Sequence, residues 1–130
     1  LGVLGVYVAR GLYADGAYFL FSILSSHGFV DDDKPRLFAL LITQVPLVMA
    51  MKIGINDLNL LIRLHSFGLI IFPLVFWLAA LKIQMKTELF WIFVAEFSVS
   101  YLCSGFFAIG EYNLCYSMAA FSAAIILKKI

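Results

Sequence analysis

Two long apolar stretches, Leu64 to Leu81 and Leu89 to Ile109, are parted only by the polar link Lys82-Ile-Gln-Met-Lys-Thr-Glu88. A bilayer hydrocarbon core of roughly 30 Å asks for about 20 apolar residues per helix, and these runs supply that length twice in succession. The expectation is a membrane hairpin. Trp77 precedes the link and Trp91 follows it. Amphipathic rings favour the headgroup layer, so both tryptophans are expected at the ends of spans.

Composition agrees: hydrophobic residues make up 64% of the 130, and charged residues only 13%. So few charges leave too little polar surface to face water, which makes a lipid bilayer the expected solvent. The net charge is +1 and no basic run is longer than Lys128-Lys129, so no nucleic-acid partner is expected. Cys103 and Cys115 sit in apolar context without metal-site or redox spacing and read as small buried packers.

The chain opens at Leu1 inside an apolar stretch and closes on Lys128-Lys129-Ile130 directly after another. It reads as a piece of a longer multispanning protein, with no secretory signal in order. Residues 1–14 resemble the outgoing end of a first span. Spans are expected over 60–81, with a kink at Pro73, over 89–109 and over 110–127. The polar stretch Asp15 to Arg36 holds an apolar patch, Tyr18 to Leu24, that suits a helix lying in the interface. The element 37–55 is ambiguous. Its charge-free part, Leu37 to Met51, rises only about 22 Å as a helix, and it carries Gln44 and Pro46. It either spans, dips in and returns, or lies along the surface. The expected fold class is all-α, a polytopic helical bundle with a membrane-parallel or re-entrant segment in its first loop, forming one domain.

Lys82 and Lys86 share a side with Lys128 and Lys129 after two crossings, and an excess of lysine marks that side as cytoplasmic. Glu111 then faces the exoplasmic side. If 37–55 crosses, Asp15 lies in the cytoplasm; if it does not, Asp15 joins Glu111 outside. Charge counting favours the crossing, while the marginal length, Gln44 and Pro46 weigh against it.

Several residues are candidates for chemistry. Asp15, in Tyr13-Ala-Asp-Gly-Ala-Tyr18, is either a solvated helix cap or a general base or metal-binding acid. Asp31, Asp32 and Asp33 form a cluster that reads as a helix cap and turn, with divalent-metal binding as the alternative. Glu96 falls about seven residues into a span, where an ionisable group needs a partner or water. His65 and Arg63, near the start of the preceding span, offer polar company, with a structural histidine as the plain reading. Glu111, beside Gly110, either caps a tight turn or grips a headgroup or metal.

Taken in order, Asp15 just after a first span, a long loop with in-plane apolar segments and the Arg63-Leu-His-Ser66 start of a span resemble the front end of polytopic glycosyltransferases that use polyprenyl-phosphate sugars, the GT-C class. Tyr13-Ala-Asp-Gly-Ala-Tyr-Phe, Gln44-Val-Pro and Gly110-Glu-Tyr also resemble bacterial multispanning proteins of similar plan. The resemblance implies that Asp15 is an exoplasmic catalytic base, that the loop helices do not cross, and that the Arg63 segment runs from outside to inside. It also implies that Glu111 assists on the same surface, with a polyprenyl-phosphate sugar as donor at a bacterial plasma membrane. Two other functions remain open: a transporter or channel in which Glu96 is the coupling acid, and a non-catalytic membrane scaffold.

Overall fold

A computed structural model describes residues 2–13, 15–31, 37–102 and 110–128. Among the described residues every regular element is helical, without strands: α1 (Gly2–Tyr7), a 3-10 turn (Arg10–Leu12), α2 (Asp15–Ser26), α3 (Leu37–Lys52), α4 (Leu58–Gln84), α5 (Phe90–Phe97, continued by a π turn over Ser98–Leu102) and α6 (Tyr112–Leu127).

The hub is α4, against which α1, α3, α5 and α6 all pack. Its 27 residues form the one helix among those described that is long and apolar enough to cross a membrane. The side chain of Asp57 starts it by accepting from the amides of Asn59 and Leu60, two donors that a helix start otherwise leaves unpaired. The helix continues through Pro73 to Gln84. Proline removes one amide and crowds the preceding turn, and there the Tyr101 hydroxyl donates to the Ile70 carbonyl at 3.0 Å.

Contacts along α4 set the direction of each neighbour. Tyr101 meets Ile70 and the Phe97 ring lies 5.7 Å from that of Trp77, so α5 runs antiparallel to α4. Phe76 meets Phe121, and Gln84 Nε2 donates to the Ala124 carbonyl at 2.8 Å, so α6 runs parallel to it. Lys82, Lys86 and Lys128 therefore share one end of the bundle, and Glu111 lies toward the other, the arrangement that the hairpin reading expects.

The first loop folds back on itself. Leu20 and Ile23 of α2 pack with Leu47, Val48 and Leu61. From His27 the chain turns inward to Val30, whose amide donates to Gln44 Oε1 at 2.8 Å while Gln44 Nε2 donates to the Val30 carbonyl at 2.9 Å. α3 then runs antiparallel to α4, and the two backbones meet where a Cβ on Gly68 would run into the Thr43 carbonyl. Gly54, at φ 88°, closes α3, with its amide bonded to the Met51 carbonyl and the Ile55 amide to that of Ala50, the reciprocal pattern a left-handed glycine allows. The loop thus leaves from, and returns to, the α4 N-terminal end.

Two expectations need correction. Trp77 is not at the periphery: it is 1% exposed, packed with Ala80, Phe93, Ala120 and Ala124. Three helices converge on it, and a large ring fills that junction better than it would serve at a boundary. Trp91, at 73% exposure, does face outward. α1 ends at Tyr7, before the expected Ala14, because Ala9 adopts a left-handed φ of 54° and turns the chain into the 3-10 segment.

Candidate functional site

The α4 N-terminal half gathers three of the residues singled out by the sequence, Asp15, His65 and Glu111. Gly11 approaches so closely that its amide donates to the buried Ser66 Oγ at 3.2 Å, and a Cβ there would press on Ser66. Gly16 in turn sits against the Gly11 carbonyl, where no Cβ fits. These two glycines let the start of α2 lie on α4. Asp15 opens α2 and is exposed, its carboxylate at the helix end whose dipole favours negative charge.

Beneath Asp15, His65 Nε2 lies 3.0 Å from the Gly16 carbonyl. A carbonyl only accepts, so this contact assigns the proton to Nε2 and leaves Nδ1 as an acceptor. That Nδ1 is buried and has no partner among the described residues.

α6 delivers the second carboxylate. Glu111, immediately before its first helical residue, is only 3% exposed. Tyr112 follows it, and because α6 runs parallel to α4 both lie toward the same end of the bundle as Asp15. Asn113 follows, buried, and its Oδ1 likewise lacks a partner among the described residues. Two buried acceptors without donors among the described residues mark this as a place where a hydrogen-bond donor belongs. The arrangement combines an accessible carboxylate with a buried one, a phenol and these two acceptors. It can take a proton from a hydroxyl and orient the group that bears it.

Other candidates fall elsewhere. Arg63 is exposed, with its guanidinium carbon 5.0 Å from the centroid of the Tyr7 ring, a cation-π contact. Glu96 faces outward from the bundle. Asp31 is exposed, while Asp32 and Asp33 lie outside the described residues, as does Cys103. Among the described residues no group of three His, Cys, Asp or Glu side chains is placed to hold a metal ion. An open cleft of about 280 Å³, lined by Leu24, His27, Met51, Ile55, Asn56 and Leu58, lies at the far end of α2 from Asp15.

Ser66, Tyr112, Asn113 and Gly16 were not singled out by the sequence. The signal for Asn113 was a carboxamide in an apolar helix, and for Gly16 its place directly after an acid. Comparison with protein-family models, with curated proteins and with solved structures finds no match.

Proposed function

We propose that the chain is part of a polytopic membrane glycosyltransferase of GT-C type that acts on a lipid-phosphate-linked sugar at the exoplasmic surface of a bacterial plasma membrane. α4, α5 and α6 are its spans, and α3 is the re-entrant arm of the first loop. The supporting observation is that Asp15 and Glu111 lie toward the same end of α4, opposite Lys82 and Lys128.

The chemistry follows from the placement. A polyprenyl-phosphate sugar holds its phosphate at the interface, level with the ends of spans. Asp15 takes the proton of an acceptor hydroxyl as that oxygen attacks the anomeric carbon. The bond from that carbon to the phosphate oxygen breaks, and polyprenyl phosphate leaves with the electron pair. Glu111, Tyr112 and Asn113 orient the reacting groups.

The test is turnover of a radiolabelled polyprenyl-phosphate sugar by the full-length protein in membranes, with cell extract supplying acceptors. Wild type releases polyprenyl phosphate, and Asp15→Asn reduces the rate at least about 100-fold, the usual contribution of a general base. Equal rates, or labelling of a cysteine at position 15 from the cytoplasm alone, overturn the reading.

A further inference from the structure

Two faces of α5 have opposite characters. Phe93, Phe97 and Tyr101 point inward, to the Trp77 cluster and Ile70. Trp91, Ile92, Ala95, Glu96 and Val99 are exposed, and four of them form one stripe at i, i+3, i+4 and i+7 from Ile92. The Glu96 carboxylate has no hydrogen bond or ion pair among the described residues. Because Phe97 packs on Trp77, Glu96 lies close to the level of Trp77, about 7.5 Å of helix from Lys82. Its two methylenes are too short to carry the carboxylate back to the lysine end.

On the membrane reading proposed above, on which this inference rests, that stripe faces hydrocarbon and a bare carboxylate there is expensive. A second copy of the chain docking α5 to α5 across a two-fold axis would set the two Glu96 side chains against each other. A helix bearing the opposite charge removes the cost, and Ala95 lets it approach closely. We infer that the Ile92-Ala95-Glu96-Val99 face of α5 docks an apolar membrane helix carrying a lysine or arginine level with Glu96.

The test places a photo-crosslinking phenylalanine analogue at Ile92 or at Val99, about one turn to either side of Glu96, in the full-length protein in its native membrane. Crosslinked peptides are identified by mass spectrometry. The expected result is one apolar peptide with a lysine or arginine within a turn of the crosslinked residue. Its yield drops several-fold in Glu96→Gln and returns when Glu96→Lys is combined with an acid at the partner position. Crosslinks to lipid alone, to a peptide without a basic residue, or to α5 of a second copy overturn the inference. A cysteine at Val75, exposed on α4, separates the two levels. Reaction of that cysteine with a water-soluble maleimide defeats the membrane reading and the inference with it. Protection there, together with crosslinks to lipid alone, defeats only the docking helix.

Discussion

The two ends of α4 are built to different standards of completeness. At the lysine end Gln84 is wholly buried, yet Nε2 donates to Ala124 and Oε1 accepts from Thr87 Oγ1 at 2.6 Å. Around it Trp77 closes an apolar junction of three helices. At the acid end the burial is similar, but His65 Nδ1 and Asn113 Oδ1 lack donors among the described residues. Buried polar atoms are nearly always paired, so a satisfied end reads as scaffold and an unsatisfied end as a site awaiting a ligand or ordered water.

That contrast is open to direct attack. The largest expected effect is Trp77→Ala, which opens a cavity at the scaffold end and lowers stability by about 3–5 kcal/mol, measured by thermal unfolding in detergent followed by circular dichroism. Asp15→Asn comes next: the melting temperature holds while donor turnover falls at least about 100-fold, and an equal loss of both would erase the distinction between the ends. Gln84→Leu removes two hydrogen bonds, the one to the Ala124 carbonyl and the one from the Thr87 hydroxyl, and is expected to cost about 1–3 kcal/mol. Asn113→Leu deletes an acceptor that has no donor among the described residues, so its cost stays below about 1 kcal/mol while turnover declines; a loss as large as that of Gln84→Leu would show that Asn113 is scaffold too. The smallest effect is Ala9→Gly, which relieves a left-handed alanine and raises stability by about 1 kcal/mol, read as a small increase in the unfolding midpoint.

The all-helical character was legible in the apolar runs, but the bounds were not: α4 runs past Lys82 to Gln84, and α5 passes into a π turn at Ser98 inside the expected span 89–109. That Asp15 and Glu111 lie toward one end was implied by the family resemblance alone, since charge counting favoured a crossing of 37–55 that would part them. What the sequence concealed are choices between two uses of one residue type. Tryptophan suits a boundary and a core alike, so Trp77 pointed outward on composition and inward on packing. Gln44 and Pro46 looked like weaknesses of a helix, yet the carboxamide of Gln44 is what grips both polar groups of Val30, and α3 continues through Pro46. The direction of Glu96 was hidden because α5 is apolar on nearly every side, and such a helix shows no periodicity from which to choose its inner face.

The meeting of Gly68 with the Thr43 carbonyl has a mechanical consequence. Side chains at a crossing act as cushions that change rotamer under load; backbone against backbone offers none. α3 and α4 therefore meet with little room to slide, less than one helical turn along α4 from His65.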